Sequence, residues 1–257
     1  MNFQSLGLPF RDHDLDEECH FLGSTESEVW AVLSVETRGL GFLPDRRPQI
    51  LFERHHFRRL TGGRFDQKHP DISDRRPGGY AGGAAEYERL EKAMARDGKA
   101  ALQSVSWGIG QIMGFNFKAA GFASVESMAK AMVRGEREQL LAVARFVKTS
   151  GLDVPLARRN WVAFARGYNG PDFKKNEYDT RLAAAHARFS VILPDLGLRT
   201  AQAALRYLGY DPGPVDGLRG RLTRAALISY QRERGLTVSG ELGGETGERL
   251  LAEAFPE

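Results

Sequence analysis

A single cysteine, Cys19, stands in a chain of 257 residues, which excludes an intramolecular disulfide framework and any cysteine-rich metal site. As a lone thiol near the N-terminus it reads as a small buried apolar residue. The histidines offer no metal pattern either: His55 and His56 are adjacent rather than four apart, and His13, His20, His69 and His186 are scattered. Neither a metal nor a cofactor is expected. No run reaches the roughly 18 apolar residues of a membrane span, and Met1 to Asp12 shows no basic stretch leading into an apolar one. The expectation is a protein made in a cytoplasm without a signal peptide and without stable membrane insertion. Neither sign of charge dominates; the net +3 is a mild excess of base that suits any polyanionic partner. Ser104 and Ser106 lack the context of a nucleophile elbow. The Gly78–Gly83 loop has no G-K-[ST] ending and is not a phosphate loop.

What is present is organised around Val32 to Phe42, V-L-S-V-E-T-R-G-L-G-F, with Glu36 at its centre. Thr25 followed by Glu28 is a capping-box signature, and Val29, Val32, Leu33 and Val35 recur at helical spacing. Glu36 falls on the face of Val32 and Leu33, with Gly39 and Gly41 expected to stop the helix. A carboxyl on a buried face is desolvated, which raises its pKa and suits it to general acid chemistry. Pairing with Arg38 or simple exposure is the bland alternative.

Downstream, Leu43 to His69 reads as short extended pieces and turns, rich in arginine: Arg46, Arg47, Arg54, Arg58, Arg59 and Arg64. Helices are expected at 15–22, 84–102, 124–132, 136–149, 156–164 and 177–189. A proline and a glycine bracket a boundary at Leu193 to Gly197. Beyond it, helices over 198–208, 223–231 and 245–254 make a small bundle. The division is 1–193 and 198–257, and the class is mainly α with a small extended lobe.

Three segments occur in order: V-E-T-R-G-L-G-F around Glu36, W-G-I-G-Q-I-M from Trp107, and R-G-Y-N-G-P from Arg166. Together with L-P-D-R-R-P-Q-I-L-F-E-R-H-H-F (Leu43 to Phe57), they resemble the lysozyme superfamily, and within it the phage-type N-acetylmuramidases, over about Thr25 to Phe189. The resemblance implies a lysozyme-like α+β catalytic domain with Glu36 as general acid. It also implies a cleft lined by Ser106, Gly110, Gln111, Tyr168 and Asn169. Gly108 and Gly110 would let backbone approach a ligand closely, or form an ordinary tight turn. Gln111 offers donor and acceptor to a sugar. Tyr168 and Trp107 could stack on sugars or belong to the core.

Glycoside hydrolysis usually needs a second carboxylate. Glu53, in I-L-F-E-R-H, is the first choice, kept ionised by Arg54 or His55, with Asp45 behind it; a salt bridge with a neighbouring arginine is the alternative for Glu53. Without a second carboxylate, a lytic transglycosylase using one Glu becomes the better reading.

The C-terminal stretches A-Q-A-A-L-R-Y-L-G-Y-D-P-G-P-V-D-G (Ala201 to Gly217) and T-R-A-A-L-I-S-Y-Q-R-E-R-G-L-T-V-S-G (Thr223 to Gly240) resemble the peptidoglycan-binding type 1 module. Where that family has L-Q and F-Q pairs, this chain has Ala201-Gln202 and Tyr230-Gln231. Asp216, Gly217 and Arg219 are the candidate wall contacts, or Asp216-Gly217 is only a turn. The whole then reads as a monomeric modular endolysin acting on peptidoglycan glycan strands. Its module would tether it without altering the chemistry, and it would reach the wall by holin-type release. A non-catalytic wall-binding protein is a rival of another class. No nucleic acid is expected, because the arginine-rich stretch lacks the aromatic interleaving of a single-strand platform.

Overall fold

The computed structural model describes residues 2–37 and 39–256. Helix α1 (Asp12–Leu22) begins earlier than expected, with Asp12 and Asp14 favourably placed in its first turn. Helix α2 (Glu26–Glu36) opens with the expected capping box, the Thr25 N–H donating to Glu28 Oε2 at 2.9 Å. Val29, Trp30, Ala31, Val32 and Leu33 are all buried, so its middle is apolar on every side. That is the signature of a helix inside a core rather than on its surface. The expected glycine stop is corrected. The chain leaves helical geometry at Thr37, in extended conformation, whose N–H and hydroxyl both donate to Leu33 O at 3.1 and 3.3 Å. Gly39 does take a φ of 94°, but beyond the helix end.

Only one strand, β1 (Ile50–Phe52), forms in the stretch expected to be extended, and helix α3 (Arg54–Leu60) follows it. Phe57 anchors that helix, fully buried against Phe52 and Phe65. The single helix expected over 84–102 is two, α4 (Glu86–Met94) and α5 (Gly98–Gln103). The break falls at Asp97, whose carboxylate accepts from the Ala100 N–H at 3.0 Å and starts the second helix. Strands β2 (Val105–Trp107) and β3 (Ile112–Met113) complete an antiparallel sheet of order β1-β2-β3, pairing Leu51 with Ser106 and Ser106 with Met113.

Helices α6 (Val125–Arg134) and α7 (Glu136–Thr149) fall where expected. The next expected helix is split into α8 (Asp153–Ala157) and α9 (Trp161–Asn169), because Asn160 caps α9 by accepting from the Ala163 N–H at 3.1 Å. Helix α10 (Tyr178–Phe189) packs along α2. No helix among the described residues is long and apolar enough to cross a membrane.

The arginines of 46–64 do not form one free basic face. Arg47 pairs with Asp45 at 2.6 Å, Arg58 with Asp66 at 2.7 Å and Arg64 with Asp97 at 3.2 Å. Arg54 donates to the carbonyls of Arg76 and Pro77, strapping the glycine-rich loop in place.

After α10, three helices follow: α11 (Leu196–Tyr207), α12 (Arg221–Glu233) and α13 (Gly244–Ala254). Their shared core is Ala201, Ala204, Leu205, Ala226, Leu227, Tyr230 and Leu250. Gln202 and Gln231, both fully buried, perform the same task in successive helices. Gln202 accepts from the Gly217 N–H at 2.8 Å and donates to Leu218 O. Gln231 accepts from the Gly240 N–H at 2.8 Å and donates to Glu241 O. Each amide thus satisfies the backbone of one turn-rich loop, which a hydrophobic residue could not do. A third apolar cluster, Leu40, Phe42, Ala203 and Val215, joins this bundle to the chain just past Glu36.

Candidate active site

Glu36 is the last residue of α2 and remains partly open to solvent. Burial of its carboxyl raises its pKa from the ordinary 4.5 to about 7, opposed by a hydrogen bond from Asn169 and by the charge of Arg181. Asn169 ends α9 and its Nδ2 donates to Glu36 Oε1 at 2.8 Å. Arg181 lies on α10 and donates to the Val35 carbonyl at 2.9 Å, one residue from the acid. Tyr168 makes no hydrogen bond to the carboxylate. Its hydroxyl donates to Gly110 O at 2.7 Å, and its ring stacks on Phe164 with Phe146 at its edge. Burial first, then the neighbouring Glu36, hold the Tyr168 phenol well above its usual range. Arg181 and Tyr178 were not found by sequence reasoning, because they sit in an ordinary amphipathic helix with no motif. Only the packing of α10 on α2 brings them to Glu36.

The Asn169 bond stabilises the charged form of Glu36, so its loss leaves burial less opposed. Asn169→Ala should therefore move the alkaline limb of the kcat/KM profile upward by about half to one pH unit and lower kcat about tenfold. Initial rates across a pH series check both.

The β2–β3 turn faces the same region, and its glycines serve packing. A Cβ on Gly108 would meet Gln139, and one on Gly110 would collide with Val143 and lie 2.9 Å from the Tyr168 hydroxyl. On the side where a Cβ would stand, the close approach these glycines permit is to α7 and Tyr168 of the protein itself. Gln111 adopts a left-handed φ of 49°, held by its own amide: Nε2 donates to Gly108 O at 2.8 Å and Oε1 accepts from Ser106 Oγ at 2.8 Å. What Gln111 and Ser106 present to a sugar is only the capacity left after bracing this turn. Trp107 is a core residue, buried with Nε1 donating to Leu102 O at 3.3 Å.

Glu53 occupies the N-cap position of α3, but its side chain makes no hydrogen bond to the helix. Its oxygens accept from the Tyr80 hydroxyl at 2.9 and 3.1 Å, and His55 Nδ1 lies 3.1 Å away. Arg54, expected as a partner, is engaged with the loop instead. Glu36 and Glu53 share no hydrogen-bonding partner among the described residues. Asp45 is tied to Arg47 through Nε at 2.8 Å.

In the bundle, Asp216 accepts from the Leu218 N–H at 3.1 Å and pairs with Arg188 at 3.4 Å, while Gly217 O accepts from the Asp195 N–H at 2.9 Å. Asp216 thus links α10 to the bundle, while Gly217 ties the start of α11 to the loop after it. Arg219 is exposed, pairs with Glu241 at 2.7 Å and borders a cavity of about 390 Å³ that Leu198, Thr223 and Leu227 also line. One group of potential metal ligands exists among the described residues, His13, Asp14 and Glu17 on α1. Arg137 already pairs with Asp14 at 3.0 Å and Glu17 at 3.7 Å, so a cation is supplied by the protein.

A half-buried, protonatable glutamate ending the central helix and bonded to Asn169, with a three-stranded lobe braced by Tyr168, defines a lysozyme-like catalytic domain, here followed by a three-helix module. Residues 25–190 match the N-acetylmuramidase family, and residues 195–250 match a peptidoglycan-binding domain family. The chain belongs to the N-acetylmuramidase family. Among solved structures it is similar to a Burkholderia AP3 phage endolysin, with 42% identity and a TM-score of 0.65 over 71% of each chain. Among curated proteins it resembles the N-acetylmuramoyl-L-alanine amidase CwlM of Mycobacterium tuberculosis, 40% identical over 73 residues, 28% of this chain and 18% of that protein. It also resembles localization factor PodJL of Caulobacter vibrioides, 43% identical over 53 residues, 21% of this chain and 5% of that protein. The chain therefore spans less than a fifth of the length of those two relatives.

Proposed function

We propose that this chain is a modular endolysin that degrades bacterial peptidoglycan by hydrolysing the β-1,4 bond between N-acetylmuramic acid and N-acetylglucosamine. The observation that carries the reading is Glu36: burial at the end of α2 keeps its proton to about pH 7, where it can be given to the leaving oxygen. Asn169, bonded to Oε1, orients the carboxyl and steadies it once ionised. Glu53 is the candidate to position water or stabilise the oxocarbenium-like transition state. Gln111, Ser106 and Gly110 support the cleft floor, and Tyr168 supports it from the α9 side. The catalytic unit of 1–193 acts together with a wall-binding unit of 198–257, in which the cavity bordered by Arg219, Leu198 and Thr223 is the candidate wall contact. Release to the wall through a holin-type pore fits the endolysin likeness.

The separate settings of Glu36 and Glu53 favour keeping one second reading, in which the sugar's own 6-hydroxyl attacks and a 1,6-anhydro product results. Digestion of purified sacculi in water enriched with oxygen-18 distinguishes the two. Hydrolysis predicts reducing N-acetylmuramic acid carrying solvent oxygen. Unlabelled anhydro ends would establish transglycosylation, and new N-acetylglucosamine reducing ends would overturn the bond assignment.

A further inference from the structure

The wall-binding module reaches the catalytic helix end through an apolar cluster of Leu40, Phe42, Ala203 and Val215 and through one charged side chain. Arg199 of α11 is fully buried. Its Nε and Nη2 donate to Gly39 O at 2.9 and 2.6 Å, so a single guanidinium grips the carbonyl three residues after Glu36. Nη2 also donates to Glu136 Oε1 at 2.8 Å, and Nη1 lies 2.8 Å from Glu136 Oε2. Glu136, in the first turn of α7, in turn accepts from the Gly41 N–H at 2.7 Å. Gly41 O then accepts from the Gln49 N–H at 2.7 Å, and Gln49 O from the Gly108 N–H at 2.8 Å. The grip therefore continues without interruption into the β2–β3 turn, whose Gly110 carbonyl accepts from the Tyr168 hydroxyl. A Cβ on Gly39 would collide with the carbonyl of Val215, and one on Gly41 would collide with Gln139, so the segment is pressed between module and α7. Phe10 and Trp30 pack on the faces of the guanidinium, at 4.4 and 5.5 Å from their ring centres.

We propose that Arg199 is a positioning residue for Glu36, which makes the wall-binding module a working part of the catalytic site rather than a tether alone. The proposal rests on Glu36 being the proton donor. A planar guanidinium holds two acceptors at fixed separation and direction, which an ammonium cannot. With Gly39 and Gly41 fixed, the end of α2 has one path and the Glu36 carboxyl one depth. Loosening that path would admit water to the carboxyl and allow it to ionise more readily. The groups facing Glu36 from the packed elements are Asn169, Tyr168, Tyr178 and Arg181, and none of them is bonded to Arg199. A shift in Glu36 titration on changing Arg199 would thus have to travel through residues 39–41 or through Trp30 of α2, which packs on the guanidinium.

The test compares full-length wild type, Arg199→Lys and the double variant Arg199→Met/Glu136→Gln. The double variant removes both buried charges at once and retains an acceptor for the Gly41 N–H, so no ion is left unpaired. Arg199→Lys keeps the charge and the fold with a single donating nitrogen. The substrate is a soluble glycan-strand fragment of peptidoglycan too short to span both units, which removes any tethering effect. Both variants should lose kcat, the double variant by about 10- to 100-fold, with KM nearly unchanged. Their alkaline limb should move to lower pH by up to about one unit, less for lysine. Wild-type kcat and limb position in both variants would overturn the proposal, as would a rate loss equal at every pH and matched by loss of folded protein. If Glu36→Gln, assayed alongside, were as active as wild type, the reading of Glu36 itself would fall and this proposal with it.

Discussion

Replacing Glu36 by glutamine should cut release of soluble muropeptides from purified peptidoglycan by about 10³-fold or more, while the folded protein becomes more resistant to alkaline conditions. Glutamine keeps the shape of the side chain and can still accept from Asn169, but it has no proton to give. The stability effect follows from the same burial that prepares the acid. In the folded state the Glu36 pKa is about 7, against an ordinary 4.5, so the native protein holds this proton more tightly than the unfolded chain. That contribution is full below 4.5 and is lost as pH rises through about 7. At about 1.4 kcal/mol per pH unit the interval corresponds to on the order of 3 kcal/mol. Thermal melts of wild type and Glu36→Gln should nearly coincide at the acid end and separate as pH rises, with the variant the more stable. Equal melting curves at all pH values would show that the carboxyl is not desolvated.

Glu136→Ala should destabilise the chain by about 3–5 kcal/mol, among the largest effects of any single side chain. Glu136 is fully buried and accepts from the Phe10 and Gly41 N–H groups at 3.2 and 2.7 Å besides holding Arg199. Its removal strands a buried cation and two backbone donors together, and nothing nearby can replace it. The double variant Arg199→Met/Glu136→Gln should cost markedly less, because it leaves no unpaired charge. Urea unfolding of the three proteins, fitted for midpoint and slope, checks the order. A Glu136→Ala protein as stable as wild type would mean that the two modules are not locked through this pair.

The helices were legible where apolar spacing and capping residues agreed, as at Thr25–Glu28 and along α7. Breaks were missed at Asp97 and Asn160, where a short polar side chain capped a new helix inside a continuing apolar pattern. The run after β1 reads as extended in the sequence because His55, His56 and the arginines obscure a helix anchored by Phe57 alone. Glu36 could be singled out from the sequence because its face was apolar and its neighbours formed an ordered set of motifs. Asn169 followed from the same motifs. The inward use of Gln111 could not be foreseen, since its left-handed backbone and the nearby Ser106 hydroxyl meet only when the turn closes. Arg199 was invisible for a different reason: it lies in another module, 163 positions from Glu36 along the chain (199 minus 36), and looks like a surface helix residue. A buried arginine announces itself only once its partners Gly39 and Glu136 are in place. Asp216 and Gly217 read as wall contacts or as a turn, and neither reading could show that Asp216 pairs with Arg188 of α10 and that Gly217 O accepts from Asp195 at the start of α11.

The most direct measurement is the titration of the Glu36 carboxyl, followed by carbon-13 NMR in glutamate-labelled protein with Glu36→Gln for assignment, set beside the pH dependence of kcat/KM on peptidoglycan. The account predicts that the carboxyl titrates at about 7 and that the alkaline limb of activity falls at the same pH. A Glu36 that titrates near the ordinary 4.5 while activity persists to neutral pH would contradict it.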